Sequence, residues 1–299
     1  MCNCVNVYLK CKLTTIFVLI LISIANGVAD ALERVSIRCI GCTKNLARLE
    51  SSKFYCRQLL DKYGMSHLNP RWIVSECSDI PRVDDVTPDG SPRTPVAVES
   101  SYQSLKSRQF NAIEPVIRSF VGDLKGEFVV KSDGLKGGKG VFVSGDHFST
   151  IDEGINVCRD MFNNKETFLI EEKLVGQEFS LFTLCDGGNH YTHCPVVRDY
   201  KRALVSDQGF NTGGMGTVTV KNGRMPFLTE TDVETARNIN EKVCERLMFD
   251  NGGEPYFGVL YGSFIKTNDG EIKVIEYNVR FGDPEAINIL GNFVFVIVF

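Results

Sequence analysis

The sequence predicts an α+β protein built from two lobes, on three observations. Strand patterns arrive as hairpin pairs. Glycine-rich turns close those pairs, and helix patterns fall between them. Interleaving of this kind argues against a single doubly wound sheet.

The elements follow in order. Lys10 and Lys12 precede an apolar run at 16–25 in which Ser23 and Ala25 are small residues, the outline of a secretory leader. The run is too short to span a bilayer and reads equally as a buried parallel strand. The loop-into-helix pattern at 26–32, as in a βαβ unit, favours a strand or an aberrant leader over export. Residues 28–34 read as helix, 37–40 as extended chain, and 44–63 as one helix stopped by Gly64. From 66 to 126 the pattern weakens. Pro81, Pro88, Pro92 and Pro95 mark a long loop or insertion there. From Glu127 it sharpens into a strand at 128–131, a glycine turn at 133–140 and a strand at 141–143. Thr150 and Glu153 have capping-box spacing for a helix to about 162. Strands follow at 167–171 and 178–185, then a long amphipathic helix at 229–248. The closing hairpin has strands at 256–266 and 272–278, turning at Asn268, Asp269 and Gly270.

A composition of 43% hydrophobic and 23% charged residues is that of an ordinary globular protein. The net charge of −4 gives no electrostatic reason to expect nucleic acid as a partner, so any phosphate must be bound by local loops. The 11 cysteines are odd in number and scattered, which suits free thiols of a reducing compartment. Cys39 and Cys42 form a lone C-x-x-C without the second pair a zinc site needs. His190, His193 and Cys194 read as part of a strand.

Four segments could carry chemistry. In the first, Gly134, Gly137, Gly138 and Gly140 let the backbone turn tightly and aim N–H groups at an anion, with Lys131 and Lys139 flanking. A flexible hairpin with solvated lysines would look the same. It is no Walker A loop, because Gly140 stands where Ser or Thr should be. The second segment holds Glu171, Glu172, Lys173, Leu174 and Glu178, suited to an adenine and a ribose or to plain surface charge. In the third, Glu276 and Asn278 lie two apart on a strand and share a face, as hard oxygen ligands for magnesium. Arg280 just beyond could hold an anionic substrate. The fourth pairs Arg198, Asp199, Lys201 and Arg202 with a glycine-rich stretch at 209–216, suited to a phosphorylated amine or to a mobile surface loop.

In this order, the segments resemble the phosphoribosylamine–glycine ligase family of ATP-grasp enzymes, over roughly 25–291 with a poor stretch near 69–126. The stretches at 129–140, 211–216 and 278–285 are the most specific. The resemblance implies an ATP-grasp fold of two α+β lobes with a remnant of an N-terminal α/β domain. The expected organisation is a divergent leader and remnant at 1–43, an entry helix and long divergent loop at 44–126, a small lobe at 127–175, a second lobe at 176–291 and an apolar tail at 292–299. It implies ATP-driven joining of glycine to 5-phosphoribosylamine through a glycyl phosphate, with Mg2+ or Mn2+, in the cytoplasm and without nucleic-acid or membrane partners. Carried over, Lys131, Gly137, Gly138, Lys139, Glu171, Glu172, Lys173, Leu174 and Glu178 would bind ATP. Asp199, Lys201, Arg202, Asn211, Gly213, Gly214, Arg280, Gly282 and Asp283 would face the substrates, Glu276 and Asn278 the metal, and Arg280 and Lys139 the reacting groups. Tyr200 replaces the family's usual His, and Val279 its Cys. The glycine-rich opening unit of the family is not found, and the apolar end differs from it, so nucleotide binding is expected ahead of turnover. An ATP-grasp ligase with another amine acceptor, or a nucleotide-binding fragment without catalysis, are the alternatives.

Overall fold

The computed structural model describes residues 15–17, 21–76, 103–107, 109–136, 140–188, 190–204, 208–220 and 225–291. At 15–17, 21–22, 106, 202, 208–211 and 213 it describes backbone alone. β1 (Thr15–Phe17) is followed by α1 (Leu21–Ala25), α2 (Val28–Glu33) and β2 (Arg38–Ile40), and β1 pairs in parallel with β2. The apolar run therefore splits into the end of a strand and a helix, with Ile24 fully buried, instead of forming one strand. The single helix expected at 44–63 is also two: α3 (Arg48–Ser51) and α4 (Lys53–Lys62). Ser52 adopts an extended conformation between them and its Oγ accepts a hydrogen bond from the Tyr55 N–H, so it caps the second helix.

Pro81, Pro88, Pro92 and Pro95, on which the expected loop rests, lie outside the described residues, but the described parts of 66–126 on either side carry regular structure. A 3-10 turn at Ser66–Leu68 leads into β3 (Trp72–Glu76), and β4 (Gln103–Lys106) pairs with it in parallel. α5 (Phe110–Asp123) then runs through Pro115, burying Phe110, Ile113, Ile117 and Val121 along one face. β5 (Phe128–Ser132) and β6 (Val141–Val143) form the expected hairpin. α6 (Ile151–Asn163) starts on a full capping box from Thr150 and Glu153, and β7 (Phe168–Glu172) follows. Next come β8 (Gly176–Asp186), β9 (Tyr191–His193), β10 (Arg198–Leu204) and β11 (Gln208–Val218). α7 (Glu230–Asp250), β12 (Phe257–Thr267), β13 (Ile272–Asn278) and α8 (Glu285–Leu290) complete the described chain. The 198–218 stretch is thus an antiparallel strand pair with two register shifts, not a surface loop.

The chain divides into two compact units, one of Leu60–Lys173 and one of Met1–Leu59 with Leu174–Phe299. The Leu60–Lys173 unit carries a five-stranded sheet in the order β4-β3-β7-β5-β6. Phe128, Val130, Phe168 and Ile170 pack one face of it against α5 and α6. The other unit carries a four-stranded sheet, β13-β12-β8-β9, and the β10-β11 pair. β12 is fully antiparallel to β8 along their shared length and to β13 on its other side, so β13 is an edge strand held by one neighbour. No helix among the described residues is long and apolar enough to cross a membrane.

Candidate active site

In the Leu60–Lys173 unit, β5 alternates so that Phe128 and Val130 point into the core and Lys131 to the opposite face. Glu171 on β7 is a diagonal neighbour on that face, and the Lys131 Nζ lies 2.6 Å from its Oε2. Glu171 is 1% exposed, and Lys131 is a charge partner for it there. The turn after β5 is fastened at its base. The Ser132 Oγ donates to Glu166 Oε2 at 2.7 Å, and the Lys136 ammonium pairs with the same oxygen at 3.1 Å. The Ser132 bond, opposed by partial burial and joined by Lys136, holds the Glu166 carboxyl below its ordinary range. Gly137, Gly138 and Lys139 lie outside the described residues. Glu172 and Arg71 exchange bonds, the Glu172 N–H to the Arg71 carbonyl and the Arg71 N–H to Glu172 Oε2. The Lys173 Nζ donates to Glu127 Oε2 and to the Ser144 carbonyl. Both residues thus brace their own sheet.

In the other unit, the acidic and basic residues singled out on β8, β10 and β13 gather around Lys201. Its Nζ lies 3.1 Å from Asp199 Oδ2, an ion pair off the hydrogen-bond direction, and the Asp199 side chain is buried. Burial works against the Lys201 charge, but Tyr261, Asp199, Glu276 and Glu178 outweigh it and raise the pKa above that of an ordinary lysine. Glu276 and Asn278 sit opposite Ser263 and Tyr261 of β12, two residues apart on one face of β13. The Arg280 Nη1 donates to the Phe281 carbonyl at 3.1 Å, and Nη2 approaches Asn278 Oδ1 at 3.4 Å. The same Nη2 lies 2.8 Å from Glu50 Oε1.

The glycine-rich stretch of β11 and the turn after β13 meet. Gly214 has φ +140°, and a Cβ there would lie 2.7 Å from Pro284 Cδ and 3.4 Å from the Asp283 carbonyl oxygen, so only glycine fits. The Asp283–Pro284 peptide is cis. Thr212 Oγ1 donates to the Lys201 carbonyl and accepts from the Gly214 N–H, tying this stretch to β10. Gly282 is buried against Tyr261 and Glu285. The Tyr261 hydroxyl donates to Glu285 Oε1 and accepts from Ser180 Oγ. Arg202 and Asn211 are register partners, with side chains outside the described set, as is the detail of Gly213.

The structure therefore unites Lys131 with Glu171 in one unit. In the other it unites Glu178, Asp199, Lys201, Glu276, Asn278 and Arg280, with Gly214 against Asp283. The sequence reading missed Glu50, Glu166, Ser180 and Tyr261. Only Glu285, three residues beyond Gly282 in the same turn, stood within a stretch already singled out.

Two α+β units, one with a glycine-turn hairpin and one with an acidic edge strand, define the ATP-grasp fold. Solved structures share it. A phosphoribosylamine–glycine ligase from Thermotoga maritima matches with a TM-score of 0.60 and 26% identity, over 85% of this chain and 54% of that one. A D-alanine–D-alanine ligase from Bacillus anthracis, complexed with ATP, matches with a TM-score of 0.57 and 14% identity, over 96% of this chain and 77% of that one. The family model described as phosphoribosylglycinamide synthetase, ATP-grasp (A) domain, matches residues 98–286, more than half of the chain, and the chain belongs to that family. The phosphoribosylamine–glycine ligase of Methanocorpusculum labreanum is 37% identical over 265 residues, 89% of this chain and 51% of that protein. That of Methanococcus maripaludis is 37% identical over 270 residues, 88% and 52%. The chain spans about half the length of the curated relatives it matches.

Proposed function

We propose that this chain carries the ATP-dependent part of a ligase that joins glycine to 5-phosphoribosylamine. ATP would phosphorylate the glycine carboxylate, and the amine would attack the acyl carbon of the glycyl phosphate, releasing phosphate. The products are glycinamide ribonucleotide, ADP and phosphate. The observation that carries the reading is the end of β13: Glu276 and Asn278 share a face there, with Arg280 beside Asn278. Family membership and the relatives' names support the same reaction.

Each residue set has a task that its surroundings suit. Lys131, paired with Glu171, and Lys139 would meet ATP phosphates, as would the backbone at Gly137 and Gly138. Glu171 to Leu174 would border the adenine and Glu178 the ribose. Lys201 and Asp199, with Arg202, Asn211, Gly213, Gly214, Gly282 and Asp283, would enclose the amine substrate. Arg280 would hold the glycine carboxylate in line for transfer, and such alignment supplies much of the acceleration in phosphoryl transfer. Glu276 and Asn278 are hard oxygen donors and fit a magnesium or manganese ion shared with ATP phosphates. When bound, that ion would neutralise charge on the transferring group. Buried thiols outside any disulfide, such as Cys42 and Cys158, suit a reducing cytoplasm.

The test is ADP release with ATP, magnesium, glycine and phosphoribosylamine, each omitted in turn. Release is expected to need all four. Release indifferent to glycine would overturn the reading, and dependence on glycine but not on phosphoribosylamine would point to another amine acceptor.

A further inference from the structure

We propose that Glu50 is a positioning residue for Arg280, fixing the guanidinium in the orientation from which it meets an anionic substrate group. The proposal rests on the reading of Arg280 given above. Glu50 lies on the four-residue helix α3, and its side chain is 5% exposed. A carboxylate at that depth needs partners, because an unpaired buried charge is strongly disfavoured. Both partners lie just past the end of β13. Oε2 accepts from the Val279 N–H at 2.8 Å, and Oε1 lies 2.8 Å from the Arg280 Nη2, a contact closed by charge without a well-directed hydrogen bond.

The strand itself does not need Glu50. Arg57 on α4 is buried and donates to the carbonyls of Val274 at 3.0 Å and Ile275 at 2.7 Å, which holds β13 further back. What Glu50 adds is confined to Val279 and Arg280. The two contacts are chemically separable, since a neutral amide oxygen can still accept from the Val279 N–H while only a carboxylate attracts the guanidinium. Arg280 is 26% exposed, so a face of it remains open to a ligand. Without Glu50, the guanidinium would lose the carboxylate 2.8 Å from its Nη2 and keep its contacts with the Phe281 carbonyl and Asn278 Oδ1. Its orientation would then be held by those two weaker contacts alone.

The experiment uses the full chain with 15N-labelled arginine. Arg280→Lys identifies the Arg280 guanidinium signals. In the parent they should be resolved, reporting slow rotation, and in Glu50→Gln they should average. In glycine-dependent ADP release, Glu50→Gln should raise the glycine KM about tenfold and leave the ATP KM within about twofold, the loss expected for one misdirected charge-assisted bond. Glu50→Gln added to Arg280→Lys should do no further harm. Should Glu50→Gln fold poorly, Glu50→Asp keeps the charge and withdraws it by one methylene, and the same averaging is expected. Resolved signals that persist in the folded variants, or losses that add in the double variant, would overturn the positioning role. A parent without glycine-dependent turnover would count against the ligase reading, while the guanidinium signals would still decide the role of Glu50.

Discussion

Lys131, proposed above to meet ATP phosphates, also holds a structural contact, its ion pair with Glu171. Removing one member of a buried ion pair strands the other, at about 3–5 kcal/mol. With Glu171 1% exposed, Lys131→Ala should lose stability and ATP affinity together, and the single variant cannot separate them. The double variant Lys131→Met/Glu171→Gln removes both members of this pair and should recover most of the melting temperature. Its ATP affinity by calorimetry should stay about tenfold or more below the parent, the worth of a charge-assisted bond. Parent-like affinity in the double variant would remove Lys131 from the nucleotide site. Residues of this kind were legible because strand alternation sets their direction: the spacing of Glu276 and Asn278 alone put them on one face. Glu50 was not legible. It lies 229 residues from Val279, and in sequence it is one more charge on a short helix.

Gly154 and Thr229 make the corresponding argument for whole elements. Glycine inside a helix is normally improved by alanine, by up to about 1 kcal/mol. At Gly154 in α6, however, a Cβ would run into Phe128 Cζ and lie 2.9 Å from Phe148 Cε2, both core side chains. Overpacking costs about 1–3 kcal/mol, so Gly154→Ala should destabilise in urea titrations despite the better helix former. An unchanged or raised midpoint would mean that the rings yield freely. α7 begins on a capping box in which Thr229 Oγ1 accepts from the Asp232 N–H and Asp232 Oδ2 from the Thr229 N–H. Thr229→Ala should cost about 1 kcal/mol. Burial raises the Asp232 pKa, but bonds from Lys266 and Thr229 outweigh it and hold it below the ordinary value of 3.8. Its contribution is therefore present above that value and lost as pH falls through the lower folded one. Asp232→Asn should flatten the acid limb of the melting curve, and an unchanged limb would exclude Asp232 as its source. Helices with such start signals were found from sequence. α5 was missed because the prolines upstream suggested a loop, although Phe110, Ile113, Ile117 and Val121 keep helical spacing and their burial prevails. The break at Ser52 was missed because its cap bond to Tyr55 outweighs a continuous helical pattern.

At the scale of the molecule, a ligand that binds only the folded chain stabilises it by an amount set by its concentration, about 2.7 kcal/mol at a hundred times Kd. MgATP should therefore raise the melting temperature, and a chelator should remove much of the rise. Glu276→Gln should shrink the rise with magnesium while leaving the small rise with ATP alone intact. Equal rises in parent and variant would exclude Glu276 from the metal. The two-lobe α+β class was legible because hairpins and turns are local. That Met1–Leu59 belongs with Leu174–Phe299 was not, because it follows contacts between distant segments. One unit comes from a continuous stretch, and the other from two pieces on either side of it. On the ribosome the Leu60–Lys173 unit can close as soon as its last strand emerges. Glu50 and Arg57 must wait for Val279 and Val274, 229 and 217 residues later. At elongation rates of about 5–20 residues per second, that wait is on the order of ten to forty-five seconds. For that interval Leu49 on α3, buried in the finished protein, lacks the β13 strand against which its helix packs. The packing of this short helix is therefore completed only after β13 has been synthesised.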